Sequence, residues 1–145
     1  MEYGSDEYFM KAALQEAHMA AAKGEIPVGA VIVGAGRIIA RTHNLTETLN
    51  DVTAHAEMQA ITCAAEAMGG KYLNDCTLYV TLEPCQMCAG ALYWAQISRV
   101  VWGADDPRRG YRAMGASLHP KTTTRSGILV TECQSIIDDF FKKLR

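Results

Sequence analysis

The sequence predicts an α/β fold of three layers, α/β/α, with one five-stranded mixed sheet flanked by helices. Three observations carry this expectation. Segments of helical period alternate with β-branched runs in the order α-β-β-α-β-α-β-(α)-β-α, the pattern of a sheet covered on both faces. The chain has 145 residues, the usual size of one domain. Its apolar content of 49% supplies one substantial core.

The first helix is expected over SDEYFMKAALQEAHMAAAKG. Ser5 is a good N-cap, Asp6 and Glu7 suit the positive helix start, and Gly24 ends it. Phe9, Ala13, Ala17 and Ala20 fall on one face, while His18 reads as an ordinary surface or core histidine. Two β-branched runs, residues 28–33 and 37–42, flank Gly34-Ala35-Gly36 and read as a β-hairpin. A polar loop over residues 44–52 follows. A second helix is expected to start at Thr53 and run to residue 68, before Gly69-Gly70. CTLYVTL (76–82) reads as a strand. Pro84 then stands where a third helix would open, running to residue 96. SRVVWG (98–103) is the next strand, and residues 104–126 read as loop with one short helix. GILVT (127–131) is the expected last strand. ECQSIIDDFFKKLR closes the chain as a helix, with Lys142, Lys143 and Arg145 at its negative end.

No apolar run is long enough for a membrane helix, and the acidic N-terminus does not resemble a secretory signal, so the cytoplasm is the default expectation. The net charge is −2, but it is divided: residues 1–98 carry −6 and residues 99–145 carry +4. Such a split suits either a solvated face or a nucleic-acid surface. The five cysteines have no disulfide-framework spacing. Cys63, Cys76 and Cys133 read as small buried hydrophobes.

Chemistry concentrates in two short stretches. Cys85 and Cys88, in TLEPCQMC, stand three residues apart at a helix start, so they share a face where the helix dipole favours thiolate. His55, in TAHAEM, adds a nitrogen from another helix start. Cys-Cys-His is a zinc-type donor set, and three protein ligands leave one position for a reacting water. Cys63 is roughly 12 Å along the helix from His55 at 1.5 Å per residue, too far to serve. Cys76 belongs to the other end of the strand before Cys85, and Cys133 stays open as a fourth ligand. Glu57 stands two residues from His55, positioned for proton transfer if both lie in the first helical turn.

TAHAE (53–57) followed by LEPCQMC (82–88) resembles the signature of the cytidine and nucleoside deaminase superfamily. The resemblance covers most of the chain and is most similar to bacterial tRNA-specific adenosine deaminases. PVGAV (27–31), THN (42–44), RVVWGADDP (99–107), ECQSIIDDFF (132–141) and the DFFxxxR ending carry it outside the two core motifs. It implies a single zinc-dependent deaminase domain over residues 1–145. It also implies one Zn2+ per chain on His55, Cys85 and Cys88, with Glu57 as the catalytic proton shuttle. The implied reaction is hydrolytic: a metal-activated water attacks C6 of the wobble adenosine of a tRNA, and inosine remains. Asn44, Val28, Ala56 and Asp106 match substrate-binding positions. Arg108, Arg109, Arg112, Lys121 and Arg125 are candidate contacts to the tRNA anticodon stem-loop. The family also implies a homodimer, with the third helix and its ALYW stretch at the interface. ALYWAQ (91–96), however, is similar to a stretch of guanine deaminases, so a free-base or nucleoside deaminase (guanine or cytosine) is the alternative. A non-catalytic zinc-binding module is the second alternative. Trp94 and His119 read as structural side chains.

Overall fold

Helix α1 (Asp6–Ala22) starts at Ser5, whose extended backbone lets its Oγ accept the Tyr8 N–H at 3.1 Å. A computed structural model describes the chain over residues 2–144; Arg145, expected in the last helix, lies outside the described residues. The face formed by Phe9, Met10, Ala13, Ala17 and Ala20 is buried, and His18 is exposed. Strands β1 (Gly29–Gly34) and β2 (Arg37–His43) form the expected hairpin. Its two turn residues, Ala35 and Gly36, both have positive φ (52° and 75°), which matches the right-handed twist of the strands it joins.

The remaining elements are α2 (Ala56–Met68), β3 (Cys76–Leu82), α3 (Gln86–Ala95), β4 (Arg99–Ala104), β5 (Thr123–Arg125) and α4 (Val130–Lys143). The sheet has five strands in the order β2-β1-β3-β4-β5. β1 is antiparallel to both β2 and β3, whereas β3, β4 and β5 run parallel, so the sheet is mixed. Strand alternation divides the core in two. Ile32, Leu78, Val80, Val100 and Trp102 face α2 and α3; Val31, Val33, Tyr79 and Val101 face α1 and α4. Alanines at these helix faces allow close approach to the sheet. The closest is at Gly29, where a Cβ would lie 2.0 Å from the Ala13 carbonyl oxygen.

Four boundaries differ from expectation, each for a local reason. Helix α2 begins at Ala56 rather than Thr53, because Asp51 Oδ1 takes the Thr53 N–H and hydroxyl at 2.8 and 2.7 Å and turns the chain. His55 is therefore the N-cap. Pro84 precedes the α3 cap, Cys85, instead of opening the helix, and its carbonyl accepts the Tyr111 N–H at 2.8 Å. The last strand is Thr123–Arg125, not residues 127–131. Gly127 and Leu129 have φ of 83° and 52°, incompatible with a strand, and Ile128 is buried against the α1/α4 side. The short helix expected within residues 104–126 is replaced, among the described residues, by turns whose N–H groups are drawn to the carboxylates of Glu83 and Asp106.

Candidate metal centre

The ends of two helices meet below the C-terminal end of β3. His55 and Cys85 are the N-caps of α2 and α3, both with extended backbone and neither capping its own helix with its side chain. Cys88 lies in the first turn of α3 and is fully buried. The side chains turn toward each other instead: His55 Nδ1 is 3.6 Å from Cys85 Sγ and 3.5 Å from Cys88 Sγ. All three donor atoms lie within 4.8 Å of one another. A tetrahedral zinc, with Zn–S near 2.3 Å and Zn–N near 2.0–2.1 Å, would separate nitrogen from sulfur by about 3.6 Å. The observed spacing fits that ion. Two positive helix ends also favour the anionic ligands it requires.

The three donors share protons closely. A hydrogen bond from Cys88, aided by His55, pulls the Cys85 thiol down to about 4 against its burial. Cys88 is pushed up by the same bond and by burial. The Cys85 contact raises His55. Glu57, in the first turn of α2, is 4% exposed, and burial pushes its carboxyl up to about 7. Within a regular helix, His55 and Glu57 would diverge by about 200°. The extended backbone at His55 removes that constraint, and Glu57 faces Cys88.

Among the remaining residues singled out from the sequence, Val28 packs at the edge of the α2/α3 core and Ala56 is fully buried beside His55. Asn44 is buried; its amide donates to the Ile26 carbonyl at 3.2 Å and accepts the Thr46 N–H at 3.2 Å. Asp106 Oδ1 accepts the N–H groups of Arg108 and Arg109 at 3.2 and 3.0 Å. The five cationic candidates are not one patch. Arg108 and Arg109 are exposed beside Cys85, with no acidic partner among the described residues. Arg112 is paired with Glu83 and Asp105, both at 3.0 Å. Arg125 is bound to Asp6 at 2.6 Å. Lys121 lines a cleft with Asn74, Ser98 and His119, at the opposite end of β3 and β4 from Cys85.

Cys76 and Cys133 are buried as expected, but Cys63 is exposed. Cys133 packs on Gly103 on the α1/α4 side of the sheet, away from the cluster. Trp94, expected to be structural, is 77% exposed, and Tyr93 packs against His119 with ring centroids 5.5 Å apart and planes tilted by 53°.

Three polar side chains gained importance only in three dimensions. Thr42 Oγ1 donates to the Ala56 carbonyl at 2.7 Å. Gln59 Nε2 donates to the carbonyls of His43 and Ala54 at 2.8 and 3.1 Å, so it braces the His55 turn against the end of β2. Glu83 is buried, and Arg112 with two backbone N–H groups outweighs that burial and holds its carboxyl low. One signal pointed to Glu83: an acid directly after a core strand must find a partner.

Comparison with known proteins gives the arrangement its family. The cytidine and deoxycytidylate deaminase zinc-binding region matches residues 4–104. The tRNA-specific adenosine deaminase of Bacillus subtilis is 46% identical over 97% of this chain and 91% of its own length. A solved structure from work on A-to-I editing by tRNA deaminases at the wobble position of transfer RNA has a TM-score of 0.82 and 44% identity, covering 89% of this chain and 98% of that one. A guanine deaminase structure from Bacillus subtilis has a TM-score of 0.66 and 41% identity, covering 79% of this chain and 69% of that one. The chain belongs to the cytidine and deoxycytidylate deaminase family.

Proposed function

We infer that this chain is a zinc-dependent hydrolase that deaminates adenosine to inosine at the wobble position of tRNA. The observation that carries the reading is the meeting of two helix N-caps and one first-turn cysteine around a point at zinc-ligand distances, with a buried carboxylate beside them. Proteins named as tRNA-specific adenosine deaminases at 44–46% identity over nearly the whole chain supply the substrate.

His55, Cys85 and Cys88 are the zinc ligands. When bound, zinc lowers the pKa of a water molecule and so supplies the nucleophile at neutral pH. Glu57 takes the proton that water sheds. It would deliver that proton to the ring nitrogen beside C6, where inosine keeps it, and then carry the proton of the new C6 hydroxyl to the amine; ammonia leaves and inosine remains. Val28 and Ala56 line an apolar pocket for the purine, and Asn44 hydrogen-bonds its edge. An unpaired anticodon base enters such a pocket at lower cost than a paired one. Asp106 shapes the loop at the mouth of this pocket. The phosphate-contact assignment narrows to Arg108 and Arg109, because Arg112 and Arg125 are held by carboxylates and Lys121 lies at the far end.

Residues 1–145 act as one deaminase domain in the cytoplasm, a reducing compartment that suits five free cysteines. A second copy of the chain covers the exposed α3 face at Trp94, giving a homodimer. Replacement of Trp94 by Glu should then shift sedimentation toward a monomer.

The test of the chemistry separates ligand from proton carrier. Glu57→Ala should keep near one zinc per chain and the fold but lose turnover by at least roughly 10²–10⁴-fold. Cys85→Ser should lose the zinc itself. Near-wild-type turnover by Glu57→Ala would remove the proton-shuttle role. Full zinc in Cys85→Ser would remove the ligand assignment.

A further inference from the structure

The loop after β4 is folded around a single buried carboxylate. Glu83, directly after β3, has a side chain only 2% exposed. Its Oε1 accepts the Asp106 N–H at 3.1 Å and Arg112 Nη2 at 3.0 Å. Its Oε2 accepts the Arg112 N–H at 3.3 Å and Arg112 Nε at 3.1 Å. Four donors from the loop thus converge on one side chain of the strand end. The chain passes this carboxylate at Gly110, where a Cβ would lie 2.4 Å from it and 2.6 Å from the Asp106 carbonyl oxygen. The Arg112 guanidinium also lies 5.1 Å above the Trp102 ring, and Trp102 Nε1 donates to Asp105 at 2.8 Å. The same loop is joined to the metal-bearing helix start by the Tyr111 N–H to Pro84 carbonyl bond and by the Cys85–Gly110 bridge. At its tip, Arg108 and Arg109 spend their N–H groups on Asp106 and leave their side chains exposed.

Hydrolysis has no use for a carboxylate whose two oxygens already hold four donors. A buried ion pair contributes little net stability compared with an apolar pair of the same size, so its value lies in geometry. The Nε/Nη fork of arginine reproduces that geometry and the point charge of lysine does not.

We propose that Glu83 and Arg112 are positioning residues for the RNA substrate: their forked pair fixes the Arg108–Arg109 tip relative to Cys85. Phosphate contact and base chemistry are then held at one separation. The role rests on the RNA reading above, because a free base carries no phosphate to position.

The experiment uses Arg112→Leu, Arg112→Lys, the pair Arg108→Ala/Arg109→Ala, and the pair combined with Arg112→Leu. Arg112→Leu strands the buried Glu83 carboxylate, so the unfolding midpoint of each variant is measured first and the kinetics are read well below it. Deamination of an anticodon stem-loop is measured as KM and kcat, with zinc content and tryptic cleavage after Arg108 and Arg109 read by mass spectrometry. Arg112→Leu should raise KM about tenfold, the scale of losing one or two pre-ordered side chains, with kcat and zinc nearly unchanged. Arg112→Lys should not rescue KM, and tryptic cleavage should accelerate in both variants. In the Arg108→Ala/Arg109→Ala background, Arg112→Leu should have little further effect on KM. An equal KM increase in that background would mean that Arg112 touches RNA itself and would overturn the role, as would rescue by lysine or unchanged cleavage. Failure of the wild type to deaminate the stem-loop would overturn the RNA reading and this role together; faster cleavage would then mark the pair as a fold element only.

Discussion

His55 and Cys85 meet because of where the helices begin. Neither residue type is a strong N-cap, and each spends its side chain on the other rather than on its own helix end. The stretches are short, so residue types and spacing made the grouping of His55, Cys85 and Cys88, with Glu57 in the same helix turn, legible in the sequence. Gln59 was not legible. Its role depends on the end of β2 lying beside the His55 turn, a contact across 16 residues that spacing does not reveal. The nitrogen of its amide donates to two carbonyls around the ligand turn, so Gln59→Leu should loosen His55 without removing a ligand. Support of this kind typically changes metal affinity by about 10–100-fold. Zinc transfer to a competing chelator checks it; transfer at the wild-type equilibrium would show that Gln59 does not hold the turn. Arg112 illustrates the opposite failure. Charge marked it as a phosphate contact, but its acidic partner lies 29 residues away at a strand end.

Elements were more legible than their edges. The hairpin, both ligand-bearing helices and the central strands follow from periodicity and turn chemistry. The last strand did not, because β5 is exposed along its length and pairs only through its backbone with β4. Its side-chain pattern carries no burial signal, while the apolar run after it packs into the α1/α4 core through left-handed turns. The packing of α1 on β1 offers a sharp test at this scale. A methyl at Gly29 would meet Ala13 O at 2.0 Å and Ala17 N at 2.4 Å, both backbone atoms that no rotamer change can move. Gly29→Ala should therefore cost about 3 kcal/mol in urea unfolding, the upper end of ordinary overpacking. An unchanged midpoint would mean that α1 does not lie this close.

Across the whole molecule, part of the division of charge in the sequence resolves into internal pairing. Asp6, at the start of α1, binds Arg99 through two bonds of 2.8 Å, Arg125 at 2.6 Å and the Tyr79 hydroxyl at 2.7 Å. It joins α1 to β3, β4 and β5. Arg99 holds its carboxyl well below the usual carboxylate range despite burial. A carboxyl depressed in the folded state stabilises above its unfolded pKa, near 3.9, and loses that contribution as pH falls below it. Asp6→Asn should lose about 2–4 kcal/mol at pH 7, and the gap to wild type should narrow as pH drops below about 4. Urea unfolding at several pH values measures this; a gap that stays constant would contradict the staple.

With Arg99, Arg112 and Arg125 committed to carboxylates, Arg108 and Arg109 are the exposed pair beside the metal centre. The central claim, zinc hydrolysis directed at a base in RNA, is tested most directly by following inosine formation in an anticodon stem-loop across a salt series, beside guanine turnover under the same conditions. The account predicts inosine at the wobble position. Affinity should fall with salt at a log–log slope of roughly −0.7 per phosphate contact, about −1.4 for two arginines, and guanine turnover should be negligible. Efficient guanine deamination, with no inosine in the stem-loop at any salt concentration, would contradict it.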